Sequence, residues 1–108
     1  MDIRITPSKL NGTVSVPSSK SITHRMLICA GLADGISVIR NISFSKDIHA
    51  TINAMKALGA EFEINGSSVT VTGIGRKSAE NAVIDCCESG STLRFMIPVA
   101  AVLGTAAE

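Results

Sequence analysis

Apolar and polar positions alternate through the stretch GTVSVP, which predicts a strand ending at Pro17, where the missing N–H stops a ladder. From about Ser19 to Ala33 the pattern becomes that of a helix, closed by Asp34-Gly35. Past its first turn this helix is apolar nearly all round, through Met26, Leu27, Ile28, Cys29, Ala30, Leu32 and Ala33, which predicts a buried helix. SVIRNI reads as a short strand. A second helix follows, from Ser45 as N-cap to Leu58, with Gly59 as its C′ residue. Its apolar positions Ile48, Ile52, Met55 and Leu58 keep to one stripe, as on a surface helix. AEFEI and SSVTVTG alternate with period two about Asn65-Gly66, a hairpin pattern. These elements make a β-α-β-α-β-β unit. AVIDC then starts another strand and SGSTLRFMIPVAAVLG a third helix, again apolar all round after its first turn.

The pattern therefore restarts. Shifting the chain on itself by 69 positions lays SITHRMLICAGLADG over GSTLRFMIPVAAVLG and matches Thr23 with Thr92, Arg25 with Arg94 and Gly35 with Gly104. Both copies put a polar first turn ahead of an apolar body. A helix N-terminus carries backbone N–H groups without intrahelical partners and the positive end of the dipole, so it suits an anion. Ser21 and Arg25 are four apart and share a face; Gly90 and Ser91 stand four and three residues before Arg94. Lys20 adds a compact cation at the tip of the first copy, and Gly90 lets a ligand approach backbone with no Cβ in the way. Plain capping by the serines and threonines is the alternative reading of each turn. Pro98 removes the N–H that would bond the Arg94 carbonyl, which predicts a kink there for packing or for the site.

Other chemistry does not fit. A Ser-x-x-Lys nucleophile needs serine where the chain has Pro17, and a P-loop needs glycine where it has Ser19. His24 and His49 have no ligand-spaced partners, so no metal site is expected. His49 reads as a solvated residue and Asp47 as a first-turn carboxylate complementing the dipole of the second helix. Asp85 and Glu88 flank the second polar turn without a pairing that would fix an acid or base.

Composition narrows the partners. Hydrophobic residues make up 45% and charged residues 18%, and 10 basic against 9 acidic residues leave a net charge of +1, with no Trp or Tyr. A nucleic-acid partner is not expected. Cys29, Cys86 and Cys87 lack metal-ligand spacing and read as reduced thiols. The longest apolar run, FMIPVAAVL, is short of the roughly 18 residues of a membrane span, so a soluble cytoplasmic chain is expected. PVAAVLGTAAE ends as a helix finishes, leaving an apolar face open, which reads as a fragment able to self-associate.

PSSKSITHR followed by SGSTLRFMIP, with TPSKLNGTVSVP and DIHATINAMKALGA, resembles the N-terminal part of the EPSP synthase (3-phosphoshikimate 1-carboxyvinyltransferase) family over the whole chain. The related UDP-N-acetylglucosamine enolpyruvyl transferases differ, with Lys-Asn-Ala where this chain has Lys20-Ser21-Ile22 and no equivalent of Arg25. Such a relative, and a non-catalytic anion-binding module, are the alternatives. The resemblance implies an α/β fold, part of an inside-out α/β barrel of two lobes, each built from βαβαββ units with buried parallel helices. Residues 1–12 would belong with the other lobe, 13–73 form the first unit and 74–108 begin the second.

The implied reaction moves the enolpyruvyl group of phosphoenolpyruvate onto the 5-hydroxyl of shikimate 3-phosphate in aromatic amino-acid biosynthesis, with no cofactor. By motif, Lys20 would contact both substrates, Ser21 and Arg25 would hold shikimate 3-phosphate, and Gly90 would lie against phosphoenolpyruvate. Thr23, Ser91 and Arg94 would support them. The family's main acid–base residues have no counterpart here, so the chain alone, lacking the C-terminal portion, would be inactive. An added methyl at Gly90 should crowd phosphoenolpyruvate and mimics such as glyphosate. Glu88-Ser89 stand where many members have Asn-Ala, and His24 replaces a common Asn. The Glu88 charge would either pair with a cation such as Arg94 or repel phosphoenolpyruvate.

Overall fold

Three helices and three strands follow one another in a computed structural model that describes residues 1–75 and 82–103. The order is α1 (Lys20–Leu32), β1 (Ile36–Ile39), α2 (Lys46–Ala57), β2 (Glu61–Asn65), β3 (Ser68–Thr72) and α3 (Gly90–Leu103). Gly104, the repeat partner of Gly35, lies outside the described residues, as do 76–81 and 105–108.

Local chemistry sets the helix ends. Ser19 stays extended and its Oγ accepts the Ile22 N–H at 3.3 Å, giving α1 a cap. Ser45 does the same for α2 through the Ile48 N–H, and Gly59 at φ +111° closes it while the Ala60 N–H bonds the Met55 carbonyl at 3.1 Å. Both α2 boundaries are as the sequence predicts.

The sheet is antiparallel with order β1-β3-β2. The β2–β3 register pairs Asn65 with Ser68, so the two-residue loop is Gly66-Ser67, and Gly66 at φ +59° takes the first central position that type II′ turns give to glycine. Val69 and Val71 of the central strand point into a core with Leu27 and Ala30 of α1, Ile39, Ile42, and Ile48 and Ile52 of α2. Burying a side chain such as Leu27 or Ile52 contributes about 1.5–3 kcal/mol. A second core joins the three helices through Ile28, Ala54, Met55, Leu58 and Met96. After β3 the chain presses against the end of α1: the Ile74 N–H bonds the Gly31 carbonyl at 2.8 Å and the Gly75 N–H bonds the Ala33 carbonyl at 3.0 Å. Glycine is required between strand and helix, since a Cβ on Gly73 would fall 1.9 Å from the Ala33 oxygen.

Four expectations need correction. GTVSVP forms no strand; residues 13–17 run exposed, with Val14 84% and Val16 78% accessible, because no strand edge among the described residues lies beside them. AVIDC contributes a single bridge residue, the buried Ala82, with Ile84 packed on the helix core. Helices α1 and α3 are not buried all round: α1 exposes Ile22, Met26 and Cys29, and α3 buries only Thr92 and Met96 while Ile97 and Val102 are 62% and 87% accessible. Helix α1 is covered by the sheet and α2, and α3 by α2 with a smaller contact to α1, so each buries one face only. Conversely α2, read as a surface helix, is the central one. Ala50, Thr51 and Ala54 are buried beside its apolar stripe because α1 and α3 both pack on it, while His49, Asn53 and Lys56 face solvent. No helix among the described residues is long and apolar enough to cross a membrane.

Candidate anion-binding site

The three helices run in one direction, so their N-termini gather at one end. His24 of α1, Thr51 of α2 and Thr92 of α3 touch near that end; Ile28, Met55 and Met96 pack further along, and Leu32 meets Val99 and Leu103 at the other end. The partial positive charges of three helix N-termini add on one side of the molecule.

Each sequence-selected residue now has a position. Lys20 opens α1, exposed, and its ammonium pairs with the Asp47 carboxylate in the first turn of α2. Asp47 thus complements the dipole of its own helix, as expected, and also holds the lysine. Ser21 and Arg25 are exposed on α1, and the Arg25 guanidinium lies over the Phe95 ring of α3 at 5.9 Å from its centroid, a cation–π contact that ties the two helices. Thr23 points inward and donates to the Ser19 carbonyl at 2.7 Å, which supports the cap and keeps this side chain away from solvent. Gly90 opens α3 and a Cβ built there would meet nothing within 4 Å, so the approach to the helix end is open. Ser91 and Arg94 are exposed beside it. The pair Glu88–Arg94 does not form; among the described residues Lys20–Asp47 is the ion pair present. Helix α3 continues through Pro98, an exposed residue, leaving the Arg94 carbonyl without its usual donor.

The turn ahead of α3 is built by its own polar groups. The Asp85 carboxylate accepts the Cys87 N–H at 2.8 Å, with Cys87 at φ +48°, and the Ser89 N–H bonds the Cys86 carbonyl at 2.9 Å. Asp85 is therefore occupied as a turn former. Partial burial, and then the Asp85 charge, push the Cys86 thiol up, which keeps it protonated. Ser89 caps α3, its Oγ accepting the Thr92 N–H at 3.1 Å.

What the sequence reading passed over is a buried polar chain. His24 Nδ1 lies 2.6 Å from Thr51 Oγ1, which lies 2.7 Å from Thr92 Oγ1, which donates to Ser89 Oγ at 2.7 Å. All four residues are buried, and they stitch α1, α2 and α3 together just behind the helix ends. Burial is the main cause that lowers the His24 pKa from the ordinary histidine value; Asp47 opposes this and Lys20 adds to it. The available signal was spacing: His24 precedes Leu27 by three and Ile28 by four, on the buried face of α1, and Thr51 sits between Ile48 and Ile52.

Caps also refine the repeat. Ser19 and Ser89 are 70 residues apart, one more than the offset that aligns Arg25 with Arg94. The two arginines therefore differ by about 100° around their helices when counted from the caps.

Residues 5–107 match the family model for EPSP synthase (3-phosphoshikimate 1-carboxyvinyltransferase). The chain belongs to the EPSP synthase family. It is 50% identical over 108 residues to a 3-phosphoshikimate 1-carboxyvinyltransferase of Clostridium novyi (strain NT), covering 92% of this chain and 25% of that protein. With the corresponding protein of Clostridium botulinum (strain Alaska E43 / Type E3) the identity is 51% over 104 residues, covering 92% and 24%. Among solved structures, an EPSP synthase from Acinetobacter baumannii superposes with a TM-score of 0.63 at 26% identity, over 77% of this chain and 20% of that one. The chain spans about a quarter of the length of the curated EPSP synthase relatives it matches. Its mixed helix and strand architecture is thus that of a segment of the inside-out α/β barrel of EPSP synthases, and the relatives are transferases.

Proposed function

We propose that this chain supplies the substrate-binding N-terminal portion of an enzyme that transfers the enolpyruvyl group of phosphoenolpyruvate to the 5-hydroxyl of shikimate 3-phosphate. The observation that carries this reading is the gathering of parallel helix N-termini at one end, with Lys20, Arg25 and an unobstructed Gly90 around them. Both substrates are phosphorylated carboxylates, and free amides, hydroxyls and cations aimed one way suit them. In this reading Lys20 leaves Asp47 to meet substrate, Ser21 and Arg25 hold shikimate 3-phosphate, and phosphoenolpyruvate packs against Gly90, with Thr23, Ser91 and Arg94 in support. The exposed guanidinium of Arg25, braced on Phe95, is oriented before a ligand arrives.

Residues 1–12 would join a second lobe, 13–73 the first βαβαββ unit and 74–108 the second. The exposed apolar side chains Ile3, Ile5, Val14, Met26, Ile97 and Val102 fit this arrangement, since the remaining three quarters of such an enzyme would cover them, and in its absence they favour self-association. The 108-residue chain alone would be catalytically inactive, and the working enzyme cytoplasmic.

The test replaces the matching quarter of the Clostridium novyi relative with this chain and measures phosphate release from phosphoenolpyruvate in the presence of shikimate 3-phosphate. Lys20→Ala and Arg25→Ala should each cut turnover at least about tenfold, the loss of one charge-assisted contact. An active chimaera whose variants keep full turnover refutes the assignment.

A further inference from the structure

His24 holds no place in the proposed ligand set, yet it is 1% accessible and its Nε2 has no hydrogen-bond partner among the described residues. Its Nδ1 starts the chain through Thr51 and Thr92 to Ser89. Each hydroxyl carries one proton, so two threadings run in a single sense from end to end. The mixed ones, which send the Thr51 or Thr92 proton outside the chain, also need Nδ1–H as donor and would take away the 2.7 Å bond that Thr92 donates to Ser89, where its other acceptor, the Asp47 carbonyl, lies at 3.5 Å. The two single-sense threadings differ at the imidazole. In the first, Thr51 donates to a bare Nδ1. The ring proton then sits on Nε2, a buried N–H with no acceptor, and the Ser89 proton is spent inward on Thr92. In the second, Nδ1–H donates to Thr51, Thr51 to Thr92, and Thr92 to Ser89. The unpartnered Nε2 is then only a lone pair, and orphaned buried acceptors are better tolerated than orphaned N–H donors. Ser89 Oγ, already accepting the Thr92 N–H, also accepts the Thr92 hydroxyl and retains its own proton.

We propose that His24 is a positioning residue, held as the Nδ1–H tautomer, that orients every hydroxyl in the chain and leaves the Ser89 O–H free to donate to an anionic oxygen at the start of α3. The last step rests on the anion-binding reading of that helix end; the tautomer and the direction of the chain do not. Groups facing the ring are Lys20 from its own helix, Asp47 and the Thr51 hydroxyl from α2, and the hydroxyls of Thr92 and Ser89 from α3 and its cap. The two charges act in opposite directions on the imidazole. A second ring proton would create a buried N–H at Nε2 with nothing to receive it, so the ring stays neutral.

Long-range proton–nitrogen NMR spectra of the 15N-labelled 108-residue chain, recorded from pH 8 to pH 5, read the tautomer directly and need no variant. The expected result is a protonated Nδ1 and a bare Nε2 for His24 at neutral pH, persisting below the ordinary histidine value of about 6.5. A proton on Nε2, or titration at that ordinary value, overturns the proposal. The second arm titrates inorganic phosphate into wild type, His24→Asn and His24→Leu. An asparagine amide N–H can donate to Thr51 and should keep the affinity, while leucine cannot and should weaken it about fivefold. Equal affinity in the leucine variant overturns the link from His24 to the ligand. No phosphate binding by wild type overturns the anion reading, and with it the role of the Ser89 proton, while the tautomer result stands or falls separately.

Discussion

Replacing Thr51 by valine keeps the shape of the side chain and removes one hydroxyl at the crossing point of three helices. Thr51 is fully buried and bonds His24 Nδ1 at 2.6 Å and Thr92 Oγ1 at 2.7 Å. Stranding the buried imidazole nitrogen costs about 1–3 kcal/mol. Thr92 keeps Ser89 and the Asp47 carbonyl as partners, so its loss adds only about 0.5–1 kcal/mol. The extra methyl of valine returns about 0.8 kcal/mol of apolar burial. The net expectation is a loss of about 1–3 kcal/mol. Urea unfolding followed by circular dichroism should show a lower midpoint at unchanged slope, since the packing and the surface exposed on unfolding are preserved. A loss below about 0.5 kcal/mol would mean that these hydroxyls exchange partners with water at no cost and do not clamp the helices.

Gly73→Ala should destabilise the chain by about 3 kcal/mol or more in the same urea assay, because the added Cβ would meet the backbone oxygen of Ala33 and neither segment can yield cheaply. Gly31→Ala is the contrasting case: the obstacle is the flexible tip of Met55, and the gain in helix propensity of about 1 kcal/mol offsets the shift, so stability should stay within about 1 kcal/mol. Gly90→Ala meets only open space and should leave the urea midpoint unchanged, while weakening phosphoenolpyruvate binding measured by calorimetry. Burial lowers the folded pKa of His24 below its unfolded value near 6.5, so the unfolded chain binds the proton more readily. The resulting contribution to stability is complete above about pH 6.5 and is lost as pH falls from there to the folded pKa, at no more than about 1.4 kcal/mol per unit. His24→Asn should remove that slope from a series of urea titrations.

Elements with their own local signals were legible in the chain. Ser45 and Gly59 bracket α2 as read, and the Asn65-Gly66 stretch marks the hairpin with the turn one residue further on. Helix–strand alternation also gave the mixed architecture, and the polar turns at Lys20 and Gly90 do open α1 and α3. Burial was less legible. An apolar composition all round α1 and α3 describes what these helices can cover, whereas the neighbours present decide which face is covered. Partners for Val14 and Val16 must likewise come from elsewhere in space, so their strand pattern alone forms no ladder. His24 and Thr51 were missed because their meaning is pairwise. Each looks like an ordinary polar residue until the packing angle between α1 and α2 sets them against each other.

The one-residue difference in phase between the caps and the arginines has a consequence for how a two-ended ligand is read. Two identically phased helices would present the same chemical face twice and could not tell one anionic group from another. Counted from Ser19 and Ser89, however, the position that Arg25 takes on α1 falls to Phe95 on α3, and Arg94 stands about 100° away from it, on the face it shares with Gly90. On the proposed reading, a molecule with a bulky phosphate at one end and a flat carboxylate at the other would then settle in one orientation only, and the duplicated motif would serve to tell left from right.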